Sequence, residues 1–214
     1  MRLGRRKVGA IAQQIQMMNS LVKPEESLFD LKRFWEHSVG CAIIADALYT
    51  RKLIPLKSTI EFNDYWIAGL LHDCGKLALG FFFWDHFESV LERMGGSKTS
   101  FRETEKLLGE PANHEHLGRL LLMSANVGEE LVTAVGTHHS AGDRPGDLVC
   151  LLHMANNICK DLGMAYLEGE ASSYSDAVLE KLKLDTVRLD ELRKTIGESV
   201  TGEIKILVER CSGK

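Results

Sequence analysis

Apolar residues along this chain recur at intervals of three and four, the spacing that places side chains on one face of an α-helix. The clearest stripe lies between Ser27 and Lys52 and comprises Leu28, Leu31, Phe34, Trp35, Cys41, Ile44, Ala45 and Leu48. The same spacing predicts further helices over Val8 to Val22, Asn63 to Cys74, Asp85 to Met94, Ser100 to Leu108, Asn113 to Ala125, Glu129 to His138, Asp147 to Leu162, Ser173 to Leu182 and Asp190 to Cys211. The apolar run "FFFW" at 81–84 is too short and too continuous to establish a strand. The pattern therefore predicts an all-α protein.

Several of the predicted helix ends carry residues that cap helices. Ser100 and Glu103 have the spacing of a capping box, and Asn63 and Asn113 stand where an N-cap is expected. Glycines follow the last apolar residue of three predicted helices, at Gly75, Gly95 and Gly109. The segment "SAGDRPGD", residues 140–147, is rich in turn-forming residues and is expected to be an exposed loop.

Composition and charge exclude several classes of protein. With 44% hydrophobic and 26% charged residues, the 214-residue chain can bury one core, and a single domain over residues 1–214 is expected. A formal net charge of −4 gives no basic surface for nucleic acid or an anionic membrane. The basic start "MRLGRRKVGAIAQQIQ" contains no long apolar run, and no other run is long enough to span a membrane. Five cysteines without CxxC spacing are typical of reduced thiols in a cytoplasmic protein.

The positions of the histidines carry the strongest functional signal. Five of the eight fall at predicted helix ends or on an inward-facing stripe, namely His37, His72, His114, His138 and His139. Asp73 directly follows His72, and the small residues Ala68 and Gly69 precede this pair by one turn. The remaining histidines, His86, His116 and His153, are expected to be surface or structural residues.

Imidazole nitrogens and carboxylates together bind divalent zinc, iron, manganese or nickel, and an aspartate can bridge two such ions. A bound ion lowers the pKa of its water and polarises a phosphoryl oxygen, which is the chemistry of phosphoester hydrolysis. Each residue also has an ordinary structural explanation. His37 fits a hydrogen-bonded core histidine, Asp73 a helix-end carboxylate, His114 a polar first-turn residue, and His138 with His139 a pair favoured by the dipole at a helix C-terminus. Taken together, the set favours a metal site.

Six segments, in their order along the chain, resemble successive signatures of the HDOD family, the HD-related output domains of bacterial signalling proteins. They are "FWEHS" (34–38), "AGLLHDCGKLAL" (68–79), "ETEKLLG" (103–109), "HEHLGRLLL" (114–122), "AVGTHHSAG" (134–142) and "LVCLLHMANNI" (148–158). The resemblance runs from about residue 5 to about residue 165, and the helices at about 173–211 are expected to pack on that part. It implies an all-helical HD-type fold, related to the HD phosphohydrolases and the HD-GYP cyclic-dinucleotide phosphodiesterases.

The resemblance also implies a role for particular residues. His37 corresponds to the first histidine ligand, and His72 and Asp73 correspond to the HD pair. His114, His138 and His139 correspond to the histidines that complete a two-metal site in HD-GYP enzymes. Lys76 matches a lysine that can meet substrate phosphate there, although a solvated lysine near a helix end is an equal alternative. By this likeness the metal ligands would be His37, His72, Asp73, His114, His138 and His139, holding one or two ions of iron, manganese, zinc or nickel, and Asp73 and Lys76 would be the catalytic residues.

Three departures from the family pattern argue against efficient catalysis. Asn156 stands where the HD pattern has its last aspartate, and an amide is a weaker ligand than a carboxylate. The segment "HHSAGDRPGD" lacks the glutamate and tyrosine of the HD-GYP signature. Typical HDOD domains carry further helices before the segment resembling "KVGAIAQQIQMM", so an N-terminally shortened domain, or a fragment of a longer protein, is expected.

The sequence therefore predicts a signalling or regulatory HDOD domain that is non-catalytic or weakly catalytic. It would act through a protein partner, and a buried ion would hold its helices together. The alternative is a metal-dependent phosphohydrolase or phosphodiesterase acting on a nucleotide or cyclic dinucleotide. The apolar stripe of the last helix, from Leu189 to Val208, is expected to belong to the core rather than to a partner surface.

Overall fold

The computed structural model describes residues 30–94, 100–108, 113–125, 127–167 and 170–211. Within these ranges the chain is helical and contains no strand, which confirms the all-α prediction. The helices in chain order are α1 (Leu31–Thr50), α2 (Phe62–Leu71), α3 (Cys74–Phe82), α4 (Trp84–Met94), α5 (Phe101–Leu108), α6 (His114–Ser124), α7 (Glu129–Gly136), α8 (Asp147–Asp161), α9 (Asp176–Lys181) and α10 (Thr186–Cys211). The predicted helix from Val8 to Val22, and the glycines at 95 and 109, lie outside the described residues.

Helix α1 lies at the centre of the larger hydrophobic core. It packs against α2, α8 and α10, and almost its whole second half is buried. The backbones of α1 and α2 touch, because a Cβ atom at Gly69 would lie 2.6 Å from the Cα of Ala42. The predicted inward stripe of α10 joins this core through Leu189, Leu192, Ile196, Val200 and Ile204, all of which are buried.

A smaller hydrophobic cluster lies along α3, α4 and the start of α5. Its buried members are Phe34, Leu77, Leu79, Phe87, Val90, Met94, Phe101 and Tyr166. The Phe101 ring also contacts the ring of His114, with 5.6 Å between the centroids. The predicted histidine site therefore borders this cluster.

Capping interactions confirm part of the predicted boundaries. The backbone N–H of Ser100 donates to Glu103 Oε2 (3.0 Å) and that of Glu103 donates to Ser100 Oγ (3.2 Å), as a capping box requires. The Asn113 side chain accepts from the backbone N–H of His116 (2.8 Å) and begins α6. The predicted cap at Asn63 is wrong, because α2 begins one residue earlier and its N-cap position is Glu61.

The largest difference from the sequence prediction lies between residues 71 and 84. A helix ending at Cys74, with Gly75 as its stop signal, was expected there. Instead α2 ends at Leu71, and α3 begins at Cys74 and contains Gly75. Phe81 and Phe82 end α3 and Trp84 begins α4, so the apolar run "FFFW" is helical except for Phe83 between the two helices.

Candidate metal centre

Asp73 lies at the sharp junction between α2 and α3, where two residues link the helices. Its carboxylate makes no capping bond to α3 and is completely buried. Oxygen Oδ2 faces His37, His72 and Lys76, whereas Oδ1 faces His114 and His138. We call these two groups, together with His139, the Asp73 cluster. It brings together every site residue that the sequence predicted.

On the Oδ2 side, two imidazoles present their Nε2 atoms to the carboxylate. His37 Nε2 lies 3.5 Å and His72 Nε2 lies 3.4 Å from Oδ2, and the two nitrogens are 3.2 Å apart. Their Nδ1 atoms donate to the backbone carbonyls of Met164 (2.8 Å) and Gly69 (2.9 Å), because a carbonyl can only accept. In their neutral form both rings therefore direct an Nε2 lone pair towards Oδ2.

Lys76 occupies the same side of the carboxylate. Its Nζ donates to Asp73 Oδ2 at 2.7 Å and lies 4.8 Å from the centroid of the Phe101 ring, within range of a cation–π contact. The side chain is completely buried, so the alternative of a solvated lysine is wrong. Lys76 therefore belongs to the cluster as a buried cation paired with Asp73.

On the Oδ1 side, several buried polar atoms converge without hydrogen bonds. His114 Nε2 lies 3.4 Å and His138 Nε2 lies 3.6 Å from Oδ1, and a ligand atom of His139 lies within 4.8 Å of the others. Among the described residues, no hydrogen-bond partner is found for Asp73 Oδ1 or for Nε2 of His114, His138 and His139. Buried polar atoms are rarely left unpaired, so four in one place call for an explanation.

A divalent cation would satisfy these atoms. Nitrogen and oxygen ligands lie about 2.0–2.2 Å from zinc, so two ligands of one ion lie about 2.8–3.6 Å apart. The distances from the Asp73 oxygens to the four facing imidazole nitrogens, 3.4–3.6 Å, fall in this range. The set of imidazole and carboxylate donors suits zinc, iron, manganese and nickel. The buried cluster therefore could hold a metal ion.

Two glutamates that the sequence reasoning missed orient the Oδ1 side. Glu105 Oε2 accepts from His114 Nδ1 (2.5 Å), and its Oε1 accepts from the His114 backbone N–H (2.8 Å). Glu115 Oε1 accepts from the backbone N–H of His139 (2.8 Å), and its Oε2 accepts from Arg102 Nε (2.8 Å). Both carboxylates are buried. They fall in the segments "ETEKLLG" and "HEHLGRLLL", and charged residues at inward positions of these short helices are the signal that could have found them.

His153, which the sequence predicted to be a surface or structural residue, is buried and supports the cluster. Its Nδ1 donates to the carbonyl oxygen of His138 (2.6 Å), and its Nε2 accepts from the backbone N–H of Ser175 (2.9 Å). Both ring nitrogens are thus occupied within the protein. His116 is exposed and His86 is half-buried, so neither joins the cluster.

The charges in the cluster keep Asp73 ionised and Lys76 protonated. Burial favours the protonated acid, but the ammonium group of Lys76, 2.7 Å from Oδ2, opposes this effect, and the pKa of Asp73 lies well below its ordinary value. Burial lowers the pKa of His72 to about 4, and it also lowers that of His139. These two rings are therefore neutral at pH 7, which is the form that binds metal.

Asn156 lies on the face of α8 that is turned towards the cluster. It follows His153, which contacts His138, by one turn, and it precedes Cys159, whose Sγ lies 3.7 Å from the carbonyl oxygen of His37, by one turn. Asn156 is completely buried, and among the described residues neither of its side-chain polar atoms has a hydrogen-bond partner. A buried neutral amide thus lies on α8 between two residues that contact the backbone carbonyls of His138 and His37.

The helical fold and the buried histidine–aspartate cluster define an HD-type protein. The sequence matches the HDOD domain family over residues 1–141, and the chain belongs to that family. No curated protein matches the chain.

Three solved structures share the fold. The first is a "Putative signal transduction protein" from Marinobacter aquaeolei VT8, with a TM-score of 0.75 and 23% identity over 98% of this chain and 46% of that protein. An HDOD domain protein of unknown function from Geobacter sulfurreducens has a TM-score of 0.68 and 20% identity over 87% of this chain and 64% of its own. A "Putative phosphohydrolase" from Shewanella amazonensis SB2B has a TM-score of 0.69 and 21% identity over 98% and 74%. The chain therefore spans less than two thirds of the length of the first two.

None of the described helices combines the length and the apolar character that crossing a membrane requires.

Proposed function

We propose that this chain is a regulatory HDOD domain in which a divalent metal ion, bound at the Asp73 cluster, holds the helices in one arrangement. The protein acts through a protein partner in a signalling pathway rather than by turnover. The observation that carries the proposal is the convergence of four unpaired buried atoms: Asp73 Oδ1 and Nε2 of His114, His138 and His139. When bound, an ion would supply Lewis acidity and positive charge at this point.

The ligands would connect distant parts of the chain. Asp73 comes from the junction of α2 and α3, His114 from the start of α6, and His138 from the segment after α7. An ion bound to several of these elements resists their separation, so its binding free energy adds to the free energy of unfolding. A protein partner that recognises the assembled helices would then sense whether the ion is bound.

The alternative, a metal-dependent phosphohydrolase acting on a nucleotide or another phosphoester, has the required types of ligand. The observation against it is that the cluster is too deeply buried for a phosphoester to reach. His37, His72, Asp73, Lys76, His114 and His138 have relative exposures of 1% or less. A phosphoester would have to displace neighbouring side chains to reach them. Asn156 further reduces the negative charge available to hold two ions.

The proposal covers the whole chain, with residues 1–214 forming one domain. The cysteines at 41, 74, 150 and 159 are buried thiols without disulfides, which is consistent with work in the cytoplasm. The signalling role is consistent with the name of the Marinobacter aquaeolei VT8 structure.

The test measures metal content and stability together. Protein purified without an affinity metal should contain a divalent metal by elemental analysis, and EDTA should lower its Tm. At a free Mn²⁺ concentration about 100 times Kd, the free energy of unfolding should rise by about 2.7 kcal/mol. His138→Ala should abolish this response. The matched control is His116→Ala, which changes an exposed histidine on α6 and should leave the response intact.

Two results would overturn the proposal. One is the absence of any metal-dependent change in Tm in the wild-type protein. The other is turnover of bis(p-nitrophenyl) phosphate with Mn²⁺ that disappears in Asp73→Asn and His138→Ala but persists in His116→Ala. The second result would establish the phosphohydrolase instead.

A further inference from the structure

We infer that the Asp73 cluster holds a single divalent ion on its Oδ1 side, and that the ammonium group of Lys76 takes the place of a second ion on its Oδ2 side. This inference rests on the proposed function, since it presupposes that the cluster binds metal. It adds the number of ions and the position of the one that binds.

The two carboxylate oxygens of Asp73 have different partners. Oδ2 already accepts a hydrogen bond from a cation, Lys76 Nζ, at 2.7 Å. Among the described residues, Oδ1 has no hydrogen-bond partner at all. On the Oδ1 side, the Nε2 atoms of His114, His138 and His139 have no hydrogen-bond partner among the described residues. On the Oδ2 side, the Nε2 atoms of His37 and His72 lie 3.2 Å apart, and neither can donate to the other when both Nδ1 atoms donate to carbonyls. The difference between the two sides is therefore the Lys76 cation, and Oδ1 is the oxygen that still lacks one.

The groups that accept hydrogen bonds from the imidazoles also differ in charge between the two sides of Asp73. On the Oδ1 side, the carboxylate of Glu105 accepts from the ring of His114. His138 Nδ1 donates to the carbonyl oxygen of Val135 at 2.7 Å, and Glu115, 3.9 Å from this Nδ1, is paired with Arg102. Glu105 thus adds negative charge behind His114. On the Oδ2 side, both rings donate to neutral backbone carbonyls, those of Met164 and Gly69. A dication is favoured where the surrounding charge is negative, and such effects are strong in a buried site.

Lys76 would repel a dication bound to the same oxygen. Its ammonium group is completely buried and lies against the rings of Phe101 (4.8 Å) and Tyr166 (6.0 Å). The buried carboxylate of Glu170 already pairs with Lys160 Nζ at 2.6 Å. Among the described residues, Asp73 is therefore the carboxylate with which Lys76 forms an ion pair. An ion on the Oδ2 side would have to displace this cation.

Asn156 supplies no charge to balance a second dication. It is a buried amide on α8, and an amide brings no negative charge. A carboxylate at this position would partly balance a second ion. The Oδ2 side therefore contains one carboxylate oxygen, already paired with Lys76, and two imidazoles whose Nδ1 atoms donate to uncharged backbone carbonyls.

The number of ions can be measured directly. EDTA-stripped wild-type protein, reconstituted with Mn²⁺ and freed of excess, should contain about one ion per chain. Its electron paramagnetic resonance spectrum should be that of an isolated Mn²⁺ rather than an exchange-coupled pair. The ion should be lost in His138→Ala and retained in His37→Ala, because these histidines lie on opposite sides of Asp73.

A gain-of-function variant tests the role of Lys76. Lys76→Met combined with Asn156→Asp removes the ammonium group and adds a carboxylate, so the Mn²⁺ content should rise to about two per chain and a coupled pair should appear. The matched control is Lys76→Arg combined with Asn156→Asp, which keeps a cation and should remain near one ion. Circular dichroism checks that each variant is folded, and the wild-type spectrum decides the count if a variant does not fold.

The outcomes separate this inference from the proposed function. Two ions in the wild-type protein, or one ion that is lost in His37→Ala and kept in His138→Ala, would overturn the inference while leaving a metal-binding regulatory domain. No bound Mn²⁺ in the wild-type protein would overturn both.

Discussion

A Cβ atom built on Gly75 would lie 1.9 Å from the backbone carbonyl oxygen of His114. No side chain fits at this point, where the first turn of α3 meets the start of α6. The contact is two residues from Asp73 and directly at His114, so the closeness of the two helices sets how near the His114 ring comes to the carboxylate. Gly75 therefore links the packing of α3 to the geometry of the cluster.

Gly75→Ala should destabilise the protein and weaken metal binding together. The added methyl group forces α3 and α6 apart, and overpacking of this kind costs about 1–3 kcal/mol. The same movement withdraws His114 from Asp73. Chemical denaturation and a Mn²⁺ titration measure the two effects. Gly202→Ala is the control, because a Cβ atom there meets nothing within 4 Å and alanine in a helix should stabilise by about 0.5–1 kcal/mol. Equal stabilities of the two variants would contradict the expectation.

The same glycine explains why part of the fold could not be predicted from the sequence. Periodicity identified most of the long amphipathic helices, since an apolar stripe is a local property. A glycine after an apolar stripe looks like a helix stop, and only the position of α6 shows that Gly75 is needed for a close approach inside a helix. Helix α3 was missed for this reason. Its sequence, "CGKLALGFF", is also apolar on more than one face, because it is buried almost throughout.

In the candidate site, too, some residues were predicted from the sequence and others were not. The metal-type residues were predicted because histidine and aspartate recur in the order of the family signatures, and the structure brings all of them to Asp73. The supporting residues were missed. Glu105, Glu115 and Arg102 look like ordinary charged residues of surface helices, and their roles depend on partners nine to 25 positions away. The different environments of the two Asp73 oxygens are visible only in three dimensions.

Glu105→Gln should weaken Mn²⁺ binding by about 10–100-fold, the usual effect of losing a residue that orients a ligand. An ionised carboxylate only accepts, so Glu105 keeps the proton of His114 on Nδ1 and leaves Nε2 free to face Asp73. The glutamine amide can instead donate to Nδ1, which moves the proton to Nε2 and blocks the ligand atom. Titration calorimetry with Mn²⁺ measures the change.

The control for this effect is Glu103→Gln on the same helix. Glutamine also serves in a capping box, so the interaction with Ser100 is retained, and the side-chain hydrogen bonds of Glu103 go to Ser100 rather than to the cluster. If Mn²⁺ binds equally well to both variants, Glu105 does not control the tautomer of His114.

Arg102→Met should lower the free energy of unfolding by about 3 kcal/mol, because it leaves the buried carboxylate of Glu115 without its charged partner. Both side chains of this pair are almost completely buried, at 8% and 3% relative exposure. Arg119→Met, on the exposed face of α6, should change stability by less than about 0.5 kcal/mol. Urea denaturation measures both.

A double variant separates loss of the ion pair from loss of packing. Arg102→Met combined with Glu115→Gln removes both charges, so part of the stability lost in Arg102→Met should return. If the free energy of unfolding of the double variant is lower than that of Arg102→Met, the instability of Arg102→Met does not arise from the unpaired charge of Glu115.

Asp147 provides a pH-dependent clamp at the start of α8, away from the Asp73 cluster. Its Oδ2 accepts from the backbone N–H groups of Lys57 (2.7 Å) and Ser58 (2.6 Å), and its Oδ1 pairs with Lys181 Nζ (2.6 Å). Burial alone would raise the pKa of Asp147, but Lys181 and the two N–H groups lower it from 3.8 to about 2. The ionised carboxylate thus ties the loop after α1 and the end of α9 to α8.

The pKa of Asp147 is lower in the folded than in the unfolded chain, so its carboxylate stabilises the fold above pH 4, and this contribution is lost as the pH falls towards 2. Asp147→Asn should therefore lower the free energy of unfolding by about 2 kcal/mol at pH 7. The difference from the wild-type protein should shrink below pH 4 and disappear near pH 2. Denaturation curves between pH 2 and pH 7 measure it, with Asp143→Asn in the exposed loop as a control that should follow the wild-type protein at every pH. A difference that stays constant down to pH 2 would show that Asp147 acts through its shape rather than its charge.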